Sequence, residues 1–290
     1  MVSRPRVGLS FDVEEWFQTQ AAEEGYPPEG WNDCESRLSE PMEYLLQLLD
    51  RTGSKATFFF LGWVVERMPR LAAKVVEAGH ELGSHGYGHG CITLQTRAQF
   101  AEDLTRAEEA FERAGLPSAS GYRAPSFTVV SETTWALEEL SRRGYAYDSS
   151  VYPMFRHRYG FPAVPLSPFL FTSAEFSLLE LPMAVSPLLG VRLPVAGGAY
   201  LRFMPASLFR AMLRRIVADG RTPVLYLHPW ELDGGMRIGR CSRLQRLRQE
   251  TGSGRSARRK LEELLESYRG SSLAAIAEDC DREALSSIGI

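Results

Sequence analysis

Short continuous apolar runs along this chain alternate with longer stretches in which apolar residues recur every three or four positions. The runs are Val7 to Val13, Ala56 to Leu61, His80 to Ser84, Ser120 to Phe127, Tyr145 to Ser150 and Pro223 to Glu231, and each reads as a strand or the end of one. Because side chains on a strand alternate between faces, an unbroken apolar run predicts a strand covered on both sides. The helical patterns between them are Arg37 to Arg51, stopped by Gly53; Trp63 to Ala78, closed by Gly79; Thr96 to Ala114, with Phe100, Leu104, Ala107 and Phe111 on one stripe; a helix capped by Ser131 that runs through Arg143; and Ser207 to Ala218. Strand, helix, strand at this spacing predicts an α/β chain with a parallel sheet. Ala21 to Asn32 reads as a loop over one face. From Val151 to about Pro205 the pattern lapses into Pro, Gly and aromatic residues, with only Leu178 to Pro182 and a segment near Val191 legible as strands. A region this long is usually functional, and it is expected to wall a cleft. The chain is read as one domain over 1–290, with 151–205 as a loop-rich insertion and 241–290 as a helical extension.

Composition narrows the partners. At 290 residues, 44% hydrophobic and 24% charged, the chain can bury a sizeable core as one α/β barrel. A net charge of −3 points to neither nucleic acid nor an anionic membrane as a partner. The charged helices Cys241 to Glu250 and Arg255 to Tyr268 read as solvated faces rather than a nucleic-acid patch. Cys34, Cys91, Cys241 and Cys280 are scattered without a CxxC spacing, so neither a disulfide framework nor a thiolate zinc site is expected. The N-terminal apolar segment meets Asp12, Glu14 and Glu15 too early for a signal-peptide core, and no run approaches the roughly 18 apolar residues of a membrane span. A cytoplasmic protein without a membrane span is expected.

The candidate chemistry sits at the strand ends. Three of the five histidines fall in the ten residues His80 to His89. His85 and His89, four apart with glycines between them, can turn both imidazoles toward one metal ion. Asp12 and Glu14 close the first strand, and alternation lets both point one way while Val13 points into packing. Arg123, Asp148 and His228 close three others, so cation, acid and base gather where an α/β barrel carries its chemistry. The acids of the first strand would equally suit a helix N-terminus. His80, opening a strand, is expected to make a buried hydrogen bond, and His157, between Arg156 and Arg158, to lie on the surface.

Taken in order, Phe11-Asp12-Val13-Glu14, Ser84-His85-Gly86-Tyr87-Gly88-His89, Arg123-Ala124-Pro125-Ser126 and Leu227-His228-Pro229 resemble the motifs of the polysaccharide deacetylases of the NodB-homology type, carbohydrate esterase family 4. The closest likeness is to the bacterial branch associated with exopolysaccharide, in which FDVE and LHPWE-like strings occur. The resemblance implies a distorted, incomplete (β/α) barrel of the seven-stranded type and metal-dependent removal of N-acetyl groups from amino sugars. It implies that His85, His89 and one carboxylate hold a divalent ion, with zinc first and cobalt, nickel or manganese as alternatives. The family's usual pattern has two adjacent aspartates after the Phe, the first as base and the second as ligand, but Val13 stands at the second position here. Strand alternation then favours Glu14 as ligand and Asp12 as base, with the reverse assignment open. By the same resemblance Arg123 orients the base, the Ser126 backbone N–H helps to hold the oxyanion, and His228 protonates the leaving amine with Asp148 as its partner. Trp230 walls off the acetyl methyl or belongs to the core, and Tyr87 joins the substrate-binding candidates. The expected partner is an amino-sugar polysaccharide or oligosaccharide, with the oligomeric state open. The competing readings are a hydrolase of another C–N bond in a small or cyclic amide and a catalytically silent carbohydrate-binding protein.

Overall fold

The computed structural model describes residues 4–19, 22–155, 159–188 and 190–290. Its strands are β1 (Arg6–Val13), β2 (Thr57–Phe60), β3 (Glu81–Ser84), β4 (Gly121–Tyr122), β5 (Tyr147–Asp148), β6 (Phe169–Thr172), β7 (Ser177–Glu180), β8 (Val185–Leu188), β9 (Val191–Pro194), β10 (Val224–Leu227), β11 (Arg269–Ser271) and β12 (Ser287–Gly289). The main sheet runs β10-β1-β2-β3-β4-β5-β7-β6-β12. From β10 to β7 every pairing is parallel, which makes seven consecutive parallel strands. The sheet does not close on itself among the described residues, so the architecture is the distorted, incomplete seven-stranded barrel that the motifs implied. Strand β2 shows why its sequence is continuously apolar. Phe58, Phe59 and Phe60 are all 0% exposed, and each such ring gains roughly 2–3 kcal/mol from burial.

Proline and side-chain caps decide where the helices depart from expectation. The pattern over Trp63 to Ala78 is divided into Gly62–Arg67 and Pro69–Glu77. Pro69 has no N–H to donate and pushes Met68 out of the helical region, to φ −130° and ψ 53°. Ser131 does not cap a helix through Arg143. Residues Ser131–Thr133 form a separate 3-10 turn ahead of the helix Trp135–Arg142, and the Val130 N–H is accepted by the Thr133 hydroxyl at 2.9 Å. The helix Arg97–Arg113 does start as its sequence suggests, with a reciprocal Thr96–Gln99 capping box.

The loop-rich region from Val151 to Pro205 holds the two strands expected of it, near Leu178 to Pro182 and Val191, and is otherwise more regular than its composition implied. It carries the four strands β6 to β9 and a short helix, Gly198–Phe203. Strand β7 completes the parallel run, β6 returns antiparallel to it, and β8 and β9 form a hairpin of their own. The tail is likewise not purely helical: β11 pairs with the start of β1, and β12 pairs with β6.

Candidate metal and catalytic site

Strand register assembles the site. Val13 is opposite Phe60, Phe60 opposite Ser84, Ser84 opposite Tyr122, and Tyr122 opposite Asp148. The next residue of each strand lies one step past the sheet, which sets Glu14, His85, Arg123 and Ser149 side by side. On the other flank of β1, Phe11 is opposite Leu227, which sets His228 beside Asp12.

Glu14, His85 and His89 offer ligand atoms that all lie within 4.8 Å of one another. Glu14 Oε2 is 2.7 Å from His89 Nε2 and 3.9 Å from His85 Nε2. That oxygen is buried without an aligned hydrogen-bond donor, so three lone-pair donors converge on one point. His85 Nδ1–H donates to the Arg123 carbonyl at 2.8 Å, which leaves Nε2 unprotonated on the side of Glu14. Burial keeps His85 neutral, with its pKa lowered to about 4. Burial alone would push the Glu14 carboxyl up, but the imidazoles of His89, His228 and His85 outweigh it and hold the carboxyl at about 2. One carboxylate and two imidazoles are a donor set that suits zinc and leaves room for further ligands.

The loop carrying the histidines is pinned from the helix layer by a residue that its position in a solvated helical pattern did not reveal. Asp103 accepts from Tyr87 N at 2.8 Å and Gly88 N at 3.1 Å. Its approach requires Gly86, which has φ 73° and where an added Cβ would meet Asp103 Oδ2 at 2.5 Å. His89 and Ser126 adopt left-handed backbone conformations, with φ 55° and 56°, which non-glycine residues seldom do outside functional sites.

Asp12 stands beside this cluster in a different environment. The Arg123 guanidinium, 0% exposed, donates to Asp12 Oδ1 at 2.7 Å and Ser10 Oγ at 2.6 Å. Its remaining groups reach the Ser149 carbonyl at 2.9 Å and hydroxyl at 3.0 Å. An arginine bonded on every side and stacked over Phe59 at 4.3 Å is no surface ion pair, and it fixes the Asp12 carboxylate in place.

His228 occupies the opposite wall. Its Nε2 is 3.6 Å from Glu14 Oε1 and its Nδ1 is 3.2 Å from Glu231 Oε2. Glu231 also accepts from the His228 backbone N–H at 3.0 Å and from Arg202 Nε at 2.8 Å. Arg202 in turn donates to the carbonyls of Gln249 at 2.9 Å and Thr251 at 2.7 Å. Burial opposes charge on the imidazole, yet Glu14 and Glu231 outweigh it and raise the His228 pKa to about 9. Glu231 is held below the usual carboxylate range, its own burial being outweighed by His228 and Arg202. Gly198 makes the clamp sterically possible, because a Cβ there would lie 1.8 Å from Glu231 Oε2.

Asp148 therefore does not partner His228. It is opposite Tyr122 and Glu180 in the sheet, one residue out of phase with Arg123, so alternation turns its side chain to the other face. There it accepts from Ser150 Oγ at 2.5 Å, and the inward position passes to Ser149. The local signal for the true partner is the spacing His228-x-x-Glu231, a single turn. Tyr87 is engaged on the helical side. Its hydroxyl donates to Glu66 at 2.6 Å, and the Arg106 guanidinium covers its ring at 3.8 Å. Trp230 is 5% exposed; it stacks on His228 with ring centroids 5.0 Å apart and donates to Glu14 Oε1 at 3.3 Å. His80 packs on Phe58 at 5.5 Å, and its buried Nδ1 lacks the hydrogen bond expected of it. His157 lies outside the described residues.

Residues 29–146 match the profile of the polysaccharide deacetylase family, and residues 149–278 match a domain of unknown function, DUF3473. The chain is similar to a peptidoglycan deacetylase-like protein of Gibberella zeae, 32% identical over 109 residues, or 37% of this chain and 31% of that protein. It is also similar to a peptidoglycan deacetylase of Helicobacter pylori, 31% identical over 107 residues, or 37% and 36% of the two chains. The matched stretches thus span about a third of these curated relatives. The backbone superimposes on a Mycobacterium smegmatis protein classed as a polysaccharide deacetylase with a TM-score of 0.68 at 21% identity, over 99% of this chain and 94% of that one.

Proposed function

We propose that this chain, a member of the polysaccharide deacetylase family, is a metal-dependent N-deacetylase that hydrolyses the acetamide of an N-acetylated sugar in a bacterial polysaccharide or its precursor. The observation that carries the reading is the convergence of Glu14, His85 and His89 around a buried carboxylate oxygen with no aligned donor, between a carboxylate held by Arg123 and an imidazole held by Glu231. Glu14, His85 and His89 would hold the ion. A divalent metal, zinc first by this donor set, supplies Lewis acidity to a water and to the amide carbonyl.

The protein's own groups account for the proton traffic. Asp12, oriented by Arg123, accepts a proton from the attacking water as its oxygen forms a bond to the acetyl carbon. His228, protonated and facing the site through Nε2, delivers a proton to the sugar nitrogen as the C–N bond breaks, so that acetate and a free amine leave. Glu231 keeps the proton on Nδ1, and the stacked Trp230 ring limits rotation of the imidazole. His228 is 20% exposed through its side chain and His89 10%, so substrate can reach this wall. The Ser126 backbone N–H, held in its left-handed turn, serves as the oxyanion donor.

The test is acetate release from N-acetylglucosamine oligomers. Activity should vanish with chelator, return with Zn²⁺ or Co²⁺, and be absent in His228→Ala. Turnover indifferent to His85→Ala would refute the proposal.

A further inference from the structure

We propose that the outward face of the helix Arg243–Glu250 docks on an anionic lipid surface. This goes beyond the deacetylase reading, and it is measured without turnover. The net charge of −3 conceals a strongly basic segment: residues 237–248 contain five arginines and no acid. All five, Arg237, Arg240, Arg243, Arg246 and Arg248, are exposed. The nearest acid, Glu250, closes the helix 4.0 Å from Arg237, and Glu262, Glu263 and Glu266 lie on the next helix, beyond this segment.

Helical geometry separates this face from an ordinary solvated one. At about 100° per residue, Leu244 and Leu247 fall side by side, with Arg243 and Arg248 flanking them on an arc of roughly 140°. The buried residue of the helix, Gln249, lies opposite the centre of that arc. Leu244 is 67% exposed and Leu247 is 63% exposed. Two adjacent leucines directed away from the protein, bordered by guanidiniums, match a helix lying in a membrane interface: the apolar pair enters the acyl boundary while the long cations reach phosphates. A soluble polyanion would use the arginines but gain nothing from the leucines, and that favours lipid. No helix among the described residues is long and apolar enough to cross a membrane, so the contact is peripheral.

The helix is firmly attached and close to the chemistry. Ser242 and Gln245 form a capping box at its start. At its end Gln249 donates to Thr19 at 2.7 Å, and the Gln249 and Thr251 carbonyls accept from Arg202, the residue that holds Glu231 behind His228. A lipid surface bound here would bring membrane-attached sugar beside the cleft.

Co-sedimentation of the full chain with vesicles tests this, using phosphatidylcholine alone and phosphatidylcholine with about a quarter phosphatidylglycerol. Binding should require the anionic lipid and weaken as salt rises through about 0.1 M, where the Debye length is near 10 Å. Arg243→Gln with Arg248→Gln should lower partitioning about 25-fold, roughly fivefold per arginine. Leu244→Ser with Leu247→Ser should lower it by about tenfold or more. These side chains are exposed, so both variants should melt with wild type, and a circular dichroism melt checks that. Absence of binding to anionic vesicles overturns the proposal, as does binding that survives both variants. Binding to a heparin fragment or duplex DNA that the leucine variant retains, without vesicle binding, overturns it in favour of a soluble polyanion.

Discussion

Arg202→Met interrogates the clamp behind His228 without touching the imidazole. The side chains of Arg202 and Glu231 are 3% and 2% exposed, so their ion pair is screened by protein rather than by water. Removing one partner of such a pair costs about 3–5 kcal/mol, because the other charge is left buried. For a chain of this length the entropy of unfolding is about 0.6 kcal/mol per kelvin, so the melting temperature should fall by about 5–8 °C. Glu231→Gln in the Arg202→Met background removes the stranded charge and should recover part of that loss, whereas Glu231→Gln alone strands the guanidinium and destabilises. The measurement is a double-mutant cycle by differential scanning calorimetry. On the proposed reaction, Arg202→Met should also lower kcat with little change in KM, because the imidazole loses its orientation rather than the substrate its binding surface. Stability losses that simply add across the cycle would refute the clamp, and so would a melting temperature within a degree of wild type for Arg202→Met.

Zinc at about 100 times its Kd should stabilise the chain by about 2.7 kcal/mol; calorimetry should show Glu14→Gln and His85→Ala losing that response, and an equal response in either variant would exclude them as ligands. Gly198→Ala should reduce kcat while zinc binding persists, because its Cβ displaces the Glu231 carboxylate and not the metal cluster; loss of zinc instead would contradict the geometry. Burial pushes the Asp148 carboxyl up, and burial with Asp148 beside it pushes Glu180 well above the ordinary range. The folded state therefore keeps protons that the unfolded chain releases above pH ~4, and stability should decline as pH rises toward the folded pKa, by up to about 1.4 kcal/mol per pH unit for each proton retained. Glu180→Gln should flatten that decline in melts between pH ~5 and ~9, and parallel curves would refute it. Val13→Asp restores the paired aspartates of related sequences, but Val13 is 0% exposed, so it should destabilise by several kcal/mol without returning zinc to Glu14→Gln.

The legible parts of the sequence were those governed by local periodicity. The three-phenylalanine strand β2, the Phe100-Leu104-Ala107-Phe111 stripe and the glycine stops each depend on neighbours within a turn or two, and the structure matches them. The motif residues Asp12, Glu14, His85 and Arg123 were legible because each stands at or one step past the end of a strand, and His89 because it follows His85 by four. In residues 151–205 the strands β7 and β9 were legible as Leu178 to Pro182 and the segment near Val191, whereas β6 and β8 were not, since each is four residues with no flanking helical pattern to mark it and Pro187 interrupts β8. Arg202 could not be read as functional because its partners Glu231, Gln249 and Thr251 are 29 to 49 positions away. Asp148 failed for a reason of parity alone, since a strand of two residues leaves its inward face undetermined by one step.

Parity also resolves the feature in which this chain departs from paired aspartates. Two adjacent carboxylates on an extended strand point to opposite faces unless the strand ends between them, whereas Asp12 and Glu14 are two apart and share a face. Strand β1 ends at Val13, and Val13 goes into the core at 0% exposure, so both carboxylates are delivered to one site without distorting the sheet. The two acids are then separated by their surroundings rather than by their chemistry. Asp12 receives a buried guanidinium, which the Ser10 hydroxyl also holds. Glu14 meets three imidazoles and an indole N–H. A carboxylate already bonded to Arg123 suits proton transfer, and one whose buried oxygen lacks an aligned donor suits a metal. The longer side chain of Glu14 spans the extra distance from a residue that lies beyond the strand.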